Sequence, residues 1–229
     1  MDSIDEIKKR VGTYAADYVA HGSTIGLGTG STVYWLIQEL GRRVKDGLDL
    51  AIVPTSKKTA ALATSVGIRV TDLDEVGELP LTIDGADEID PDGQLIKGGG
   101  GALLQEKIVA SASARLIIIA DSTKMVNLLG KAPLPVEVIP FGHRQVIQRI
   151  MTSGICKNAI LRMKDNQPYI TDHQHYILDC QYDRIDNPGS LNKMLHSIPG
   201  VVETGLFIDM TSEIIIAYPD RSIELTSFS

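Results

Sequence analysis

The 229-residue sequence has few cysteines, few aromatic residues and no long apolar run. Its two cysteines, Cys156 and Cys180, are too few and too irregularly spaced for a disulfide framework or a cysteine zinc site, so we take them as ordinary thiols. No run reaches the roughly 18 apolar residues of a membrane span, and the segment MDSIDEIKKR lacks the pattern of a signal peptide. We therefore expect a cytoplasmic protein.

Positive charge is also scarce, because 22 lysines and arginines face 29 acids and give a formal net charge of -7. Such a chain repels nucleic acid and anionic membranes, so neither is expected as a partner. An anionic small molecule would need a local cationic pocket. Since 43% of the residues are hydrophobic, the chain can bury the core of one large domain or of two modest ones.

Strand-like and helix-like segments alternate over the first 130 residues. The segments STIGLG, DLAIVPTS, LPLTIDGAD and RLIIIAD indicate strands, and helix-like segments separate them. A run such as RLIIIA, which is apolar at both alternating sets of positions, is typical of a parallel strand covered on both faces. We predict an α/β fold with an open, mostly parallel, Rossmann-like sheet flanked by helices, which binds ligands beyond the carboxyl ends of its strands.

From Lys131 onward the predicted order changes to β-α-β-β-α-β, which is typical of a smaller, ferredoxin-like α+β domain. The tail SEIIIAYPDRSIEL indicates two strands joined by a turn. We therefore predict a catalytic domain of residues 1–130, to which 208–229 return, and a second domain of residues 131–207. The apolar runs LPVEVIPF and IPGVVETGLF suggest that the second domain mediates association, so a homodimer or homotetramer is expected.

The segment GLGTGST follows a predicted strand and opens a predicted helix. Gly26, Gly28 and Gly30 form G-x-G-x-G, which fails the dinucleotide pattern, and the Walker pattern fails because no Gly-Lys pair precedes Ser31. Two interpretations remain. The helix-start N–H groups, with the Ser31 and Thr32 hydroxyls, would form a phosphate seat, or the segment is a tight turn that Ser31 simply caps.

The acidic segment DGADEID follows another predicted strand. An EF-hand read from Glu88 fails because the twelfth loop position is a glycine instead of a glutamate. Glu88, Asp90 and Asp92 are expected to be solvated turn residues. Asp84 and Asp87 lie closest to the strand end, and carboxylates three apart there suit binding of sugar hydroxyls or proton exchange with them.

Four consecutive glycines follow Lys97. Each glycine costs roughly 0.5 to 1 kcal/mol relative to alanine in a helix or strand, so this bare backbone predicts close approach to a ligand. Glu106 lies in the next predicted helix among small, mostly apolar positions, which favours a shielded carboxylate; the alternative is a surface glutamate paired with a lysine. Burial would raise the pKa of Glu106, whereas the helix start and Lys97 would lower it.

The five histidines form no convincing ligand cluster, so we predict no metal site. His173 and His175 lie two positions apart in a polar segment between predicted strands of the second domain. That placement is more typical of a turn than of a site.

Five motifs in order, namely GLGTGSTV, DGADEID, KGGGGALLQEKIVA, ADSTKMV and PLPVEVIP, with IPGVVETGLF near the end, resemble the ribose-5-phosphate isomerase A family over most of the chain. The resemblance implies a cofactor-free aldose-ketose isomerase. It would interconvert D-ribose 5-phosphate and D-ribulose 5-phosphate through a cis-enediolate in the non-oxidative pentose phosphate pathway. The same superfold also hosts CoA transferases and sugar-phosphate sensors, but the sequence offers neither a CoA-binding pattern nor a DNA-binding helix pair.

The resemblance also implies roles for individual residues. Glu106 would be the base that moves the proton between C2 and C1. Lys97, with N–H groups of the glycines, would stabilise the enediolate oxygens, and Asp84 or Asp87 would assist ring opening. The substrate-binding positions that it implies are Thr29, Gly30, Ser31, Thr32, Gly85, Ala86, Gly98, Gly99, Gly100, Lys124 and Lys8.

Overall fold

The structure is a computed structural model that describes residues 2–228. Within them the α-helices are α1 Ile4–Ala15, α2 Ser31–Lys45, α3 Lys57–Ser65, α4 Leu103–Ser111, α5 His143–Thr152 and α6 Pro188–His196. The strands are β1 Ser23–Leu27, β2 Leu50–Pro54, β3 Arg69–Val70, β4 Thr82–Asp84, β5 Glu88–Ile89, β6 Leu95–Ile96, β7 Leu116–Asp121, β8 Leu134–Val138, β9 Asn158–Leu161, β10 Met163–Lys164, β11 Gln167–Pro168, β12 Tyr176–Gln181, β13 Val201–Thr204, β14 Leu206–Phe207, β15 Glu213–Ala217 and β16 Ile223–Ser227.

The chain divides into two compact units. Unit 1 comprises the residues up to 86, residues 105–124 and the residues from 210 onward, and unit 2 comprises residues 87–104 and 125–209. The predicted first domain included residues 87–104. They group with unit 2 because β5 pairs with β6 and β6 pairs with β14, which belongs to that unit.

Unit 1 contains a seven-stranded sheet in the order β16-β15-β7-β4-β1-β2-β3. All neighbours are parallel except β16, which is antiparallel to β15. Every residue of β7 is buried, as the apolar run RLIIIA predicts for a central strand covered on both faces. The predicted open, mostly parallel sheet is confirmed.

Helices α1 and α2 of unit 1 run side by side in the same direction. A Cβ atom at Gly12 of α1 would lie 2.7 Å from the backbone nitrogen of Leu36 in α2, so glycine allows the close approach of the two helices. Farther along, Arg43 Nη1 of α2 donates a hydrogen bond to the carbonyl oxygen of Ala16 at 3.0 Å. Residues that precede Gly12 in α1 therefore lie toward the N-terminal end of α2.

The carboxyl ends of four neighbouring strands of unit 1 meet at one edge of the sheet. Since β1, β2, β4 and β7 are parallel, the connections that follow them all start at that edge. Those connections hold the polar segments that the sequence analysis places after strands. This edge of the sheet therefore gathers residues 28–30, 55–56, 85–86 and 122–124.

Unit 2 contains a four-stranded antiparallel sheet in the order β13-β8-β12-β9, with α5 between β8 and β9 and α6 between β12 and β13. This is the β-α-β-β-α-β arrangement predicted for a ferredoxin-like domain. The short hairpin of β10 and β11 is inserted between β9 and β12. A hydrophobic core packs the two helices against the sheet, and it includes Val136, Ile150, Leu178 and Leu195.

A second, three-stranded sheet of unit 2 has the order β14-β6-β5, and Glu88 of the acidic segment lies in β5. Glu88 is buried at 3% exposure, and its carboxylate accepts hydrogen bonds from the N–H groups of Gly130, at 2.7 Å, and Ala132. Asp90 is also buried, which raises its pKa, and its Oδ1 accepts the N–H of Asp92. The expectation of solvated turn residues is therefore wrong for Glu88 and Asp90, because both are needed as backbone acceptors. Asp92 is exposed, as expected.

The surface of unit 2 carries one strongly exposed aromatic residue. Phe141 is 89% exposed and lines an apolar groove with Ile139 and Val146.

Cys156 and Cys180 are both free thiols. No helix among residues 2–228 combines the length and the apolar character that crossing a bilayer requires.

Candidate active site

The connection between β1 and α2 in unit 1 is held by a chain of hydroxyl groups. Thr29 Oγ1 donates to Ser56 Oγ at 2.8 Å, and Ser56 Oγ donates to Thr59 Oγ1 at 3.1 Å. Thr59 Oγ1 in turn donates to the carbonyl oxygen of Gly28 at 2.8 Å. Because a hydroxyl supplies only one proton, the Thr29 hydroxyl proton is directed into this chain. The Thr29 side chain therefore stabilises the conformation of the connection between β1 and α2.

Asp84, the last residue of β4, ties this connection to the centre of the sheet. The side chain is 1% exposed, and Oδ1 accepts the N–H of Thr29 at 3.0 Å and the N–H of Gly85 at 2.7 Å. A Cβ atom at Gly28 would lie 1.9 Å from Asp84 Oδ1 and 2.6 Å from Asp84 Cα. Only glycine fits at position 28, so the glycine pattern of the sequence has a local cause here.

The N-terminal end of α2 offers backbone donors to an anion. Gly30 is the N-cap with φ +138°, and no side chain caps the helix, so Ser31 is not the cap that one interpretation expects. The first helical hydrogen bond runs from Tyr34 N to Gly30 O at 2.9 Å, which places the N–H groups of Ser31, Thr32 and Val33 before it. The first turn of α2 has no acidic residue. The arrangement suits a phosphate group.

Two lysines of unit 1 lie toward the same region. Lys124 ends the 3₁₀ turn that follows β7, at the sheet edge where α2 begins. Lys8 precedes Gly12 by one helical turn in α1, and Gly12 is the point at which α1 approaches α2. Both lysines are partly buried. The fold therefore places one lysine at the carboxyl edge of the sheet and one on the helix beside α2, even though the net charge of the chain is negative.

Glu106 lies near the start of α4 and is only 4% exposed, so it is not a surface glutamate. Gln105 Nε2 donates to the carbonyl oxygen of Pro54 at 2.8 Å, and Pro54 is the last residue of β2. This end of α4 therefore lies at the carboxyl edge of the sheet. One helical turn later, Val109 packs against Val53 and anchors the helix.

The glycine loop, Gly98–Gly101, belongs to unit 2 and depends on the absence of side chains. Asp87 Oδ2 accepts the N–H of Gly99 at 2.7 Å, and a Cβ atom at Gly99 would lie 2.8 Å from Asp87 Oδ1. Gly98 and Gly101 have φ values of +99° and +82°, which L residues with a side chain rarely adopt. The Gly101 N–H closes the turn on Gly98 O at 3.0 Å.

Lys97 stands directly before the glycine loop and is 2% exposed. Its backbone N–H donates to Gly205 O at 2.9 Å, so the strand region around β14 fixes its position. Its Nζ lies 5.4 Å from the centroid of the Phe207 ring, within the range of a cation–π contact. The structure therefore holds this ammonium group in a buried and defined place.

The residues predicted from the sequence fall into two sets, one in each unit. The set in unit 1 is Lys8, Thr29, Gly30, Ser31, Thr32, Asp84, Gly85, Ala86, Glu106 and Lys124, and the set in unit 2 is Asp87, Lys97, Gly98, Gly99 and Gly100.

Two residues of unit 2 that contact the glycine loop are absent from the predicted set. Arg162 Nη1 donates to Gly98 O at 2.9 Å, and the Tyr169 hydroxyl donates to Gly100 O at 3.4 Å. In the sequence both lie more than 60 positions after the loop, and no local pattern marks them. Only the pairing of distant strands in unit 2 brings them there.

Within residues 2–228, no group of three His, Cys, Asp or Glu side chains is arranged to hold a metal ion. His173 is exposed in the turn after β11. His175 Nδ1 lies 3.0 Å from Oε1 of Glu137, a buried carboxylate of β8 that also accepts the Thr171 hydroxyl at 2.9 Å. This hydrogen-bonded cluster closes the turn between residues 171 and 175.

Comparison with known proteins gives one consistent result. The family model described as ribose 5-phosphate isomerase A (phosphoriboisomerase A) matches residues 51–221. The ribose-5-phosphate isomerase A of Bacillus mycoides is 56% identical over 211 residues, which cover 92% of this chain and 95% of that protein. The solved ribose 5-phosphate isomerase of Plasmodium falciparum has a TM-score of 0.93 at 36% identity and covers 97% of this chain and 98% of its own.

A further solved structure is a D-ribose-5-phosphate isomerase in complex with phospho-erythronic acid. It has a TM-score of 0.94 at 35% identity and covers 99% of this chain and 100% of its own. Sequence and structure therefore agree over nearly the whole length, and the chain belongs to the ribose 5-phosphate isomerase A family.

Proposed function

We propose that Glu106 is the single base with which this chain, an aldose-ketose isomerase of the pentose phosphate pathway, interconverts D-ribose 5-phosphate and D-ribulose 5-phosphate. The observation that carries the proposal is the burial of the Glu106 carboxylate at the carboxyl edge of the parallel sheet. A carboxylate shielded from bulk water there suits proton abstraction from a sugar carbon.

The proposed reaction starts from the open-chain aldose. Glu106 removes the proton from C2, which leaves a cis-enediolate with negative charge shared between the oxygens on C1 and C2. The hydroxyl proton on O2 moves to O1, and the same carboxyl group returns a proton to C1, which gives the ketose. Because the two carbons are neighbours, one base within reach of both is sufficient.

The enediolate requires stabilisation of its oxygens while the proton is on the base. We assign this role to the ammonium group of Lys97 and to N–H groups of the glycine loop. Buried, preorganised donors are most effective when they need no reorganisation at the moment of reaction. The 2% exposure of Lys97 and the turn that closes the loop support the assignment. The chemistry needs no cofactor.

Opening of the furanose ring requires proton exchange with O1 and with the ring oxygen. We assign it to one of the two carboxylates after β4, Asp84 or Asp87. Asp84 is buried and accepts two backbone N–H groups, whereas Asp87 is partly exposed and accepts the Gly99 N–H. Both are therefore fixed in position by backbone donors.

The substrate phosphate is proposed to bind the N-terminal end of α2. Its ligands would be the N–H groups from Gly30 to Thr32 and the Ser31 hydroxyl, with charge supplied by Lys124 and Lys8. Thr29 would contribute by shaping the connection, since its hydroxyl proton and its N–H are engaged within unit 1. Backbone donors and helix dipole together favour a dianion at this position.

Lys124→Ala is expected to raise KM for ribose 5-phosphate by about 10-fold or more with a smaller effect on kcat, because a charged hydrogen bond to the phosphate is lost. Steady-state kinetics measures both constants. Lys45→Ala removes the same charge from the opposite end of α2 and is the matched control. An unchanged KM in Lys124→Ala would remove this lysine from the phosphate site.

Incubation with ribose 5-phosphate in heavy water containing EDTA tests the reaction directly. A carboxylic base exchanges its proton with solvent, so we expect ketose formation with deuterium appearing at C1 of the ketose, as followed by NMR. Ketose that stays free of deuterium after prolonged equilibration would contradict proton transfer through an exchangeable base. Neither ketose nor exchange would be the result for a protein that only binds sugar phosphates.

The relative solved with phospho-erythronic acid suggests a probe for this chain. That compound combines a phosphate with a carboxylate whose charge is shared by two oxygens, as in the enediolate. We propose that it binds here with its carboxylate in place of the enediolate oxygens.

Association into a homodimer or homotetramer through the second domain stays a prediction, and the apolar groove around the exposed Phe141 supports it. A cytoplasmic location stays a prediction as well.

A further inference from the structure

The carbonyl oxygens of the glycine loop are held from one side by two side chains of unit 2. Arg162 Nη1 donates to Gly98 O at 2.9 Å and to Gly99 O at 3.2 Å. The Tyr169 hydroxyl donates to Gly100 O at 3.4 Å. Burial raises the pKa of Tyr169, so the hydroxyl keeps its proton for this bond. Three successive peptide groups are thus fixed through their oxygens.

Arg162 is itself fixed by Asp179 of β12. Arg162 Nε lies 2.9 Å from Asp179 Oδ2, and Nη2 lies 2.5 Å from Oδ1, which is a bidentate ion pair. The Arg162 backbone N–H donates to Ile177 O at 2.8 Å. The two side chains are 16% and 27% exposed. Such a fork-to-carboxylate pair sets the direction of the remaining guanidinium nitrogen.

The held carbonyls determine where the N–H groups of the loop point. In a planar trans peptide the C=O and the following N–H point in opposite directions. Arg162 therefore directs the N–H groups of Gly99 and Gly100 away from itself. The Gly99 N–H ends at Asp87 Oδ2, 2.7 Å away. The Gly100 N–H likewise points away from Arg162, because Arg162 binds the carbonyl oxygen of the same peptide group.

We propose that Arg162, held by Asp179, is a positioning residue that aims the Gly100 N–H at an enediolate oxygen. The inference rests on the proposed function of the glycine loop. A cation that binds two carbonyl oxygens also polarises their peptide groups, which makes the N–H groups better donors to a negative oxygen. Arg162 acts on the reaction only through the loop.

The experiment compares Arg162→Gln and Asp179→Asn with the wild-type protein. A displaced donor costs up to about 100-fold, so we expect kcat per folded molecule to fall about 10- to 100-fold in Arg162→Gln and less in Asp179→Asn. KM should change by less than about threefold, because the phosphate site lies elsewhere. The inhibition constant of phospho-erythronic acid should rise with the fall in kcat.

Arg184→Gln is the matched control, since Arg184 forms an exposed ion pair with Asp186 in the same unit. It should leave kcat, KM and inhibition unchanged. Addition of guanidinium at millimolar concentration to Arg162→Ala should restore part of kcat, whereas ammonium should not. A purely structural role would lower the melting temperature and the folded fraction without this chemical rescue.

Wild-type kcat in folded Arg162→Gln and Asp179→Asn would overturn the inference. If Arg162→Gln does not fold, the kcat of Asp179→Asn and the rescue of Arg162→Ala test the inference in its place. A different result, undiminished solvent exchange in Glu106→Gln, would contradict the proposed function. Loss of exchange in Glu106→Gln together with normal turnover in both of the other variants would refute only the role of Arg162.

Discussion

Glu106→Gln is expected to lower kcat by about 10²- to 10⁴-fold, because the amide keeps the shape of the side chain but cannot accept the proton from C2. The effect should fall on the chemical step, so KM should change little. Deuterium incorporation from heavy water should fall by the same factor as turnover. Steady-state kinetics and NMR of the product measure the two quantities on the same samples.

Glu78→Gln is a suitable control because Glu78 is exposed in unit 1 and the substitution makes the same change of charge. Thermal unfolding of both variants reports whether the fold is kept. Since Glu106 is buried, a change of melting temperature in Glu106→Gln alone is acceptable provided that the protein is folded during the assay. Turnover within about threefold of wild type would rule out Glu106 as the base.

Lys97→Met is expected to lower kcat by about 10²- to 10³-fold, the usual cost of removing one donor to a developing oxyanion. Methionine keeps much of the length and apolar surface of the side chain next to Phe207 but removes the charge. The remaining slow reaction should still incorporate deuterium, because Glu106 is unchanged. This pattern separates the two variants, one of which loses the base and the other the stabilising charge.

Lys164→Met is the control for this variant, because Lys164 is exposed in β10 of the same unit. The two substitutions remove one positive charge each. Circular dichroism and thermal unfolding confirm that folded proteins are compared. If Lys97→Met kept wild-type kcat, the stabilising charge would have to come from another group. In the double variant with Glu106→Gln the losses should be far from additive, because both residues act in one step.

Segments with a strong local pattern could be predicted from the sequence. The apolar run of β7 predicted a parallel strand covered on both faces, and the order of elements after Lys131 predicted the ferredoxin-like unit. The four glycines identified a loop without side chains, and the small neighbours of Glu106 indicated its burial. In each case the cause is local, namely periodicity, composition or helical spacing.

The errors concern residues whose partners are distant in the sequence. The local sequence predicts that Glu88 is a solvated acid in a polar turn. Its carboxylate instead accepts hydrogen bonds from the N–H groups of Gly130 and Ala132, more than 40 positions later. Arg162 likewise reaches Gly98 only after β9 has paired with β12. Neither contact leaves a spacing that a single sequence reveals, because strand pairing creates them.

The missing side chain at Gly12 has a consequence for the affinity of unit 1 for anions. Leu36 N and a Cβ atom at position 12 would be 2.7 Å apart, so any larger residue there must push α1 away from α2. Lys8 is a residue of α1 and would move away from α2 together with that helix. If Lys8 binds the phosphate as proposed, the distance between α1 and α2 affects the affinity for the substrate. Natural variation in that affinity can therefore arise at position 12, which does not contact the sugar.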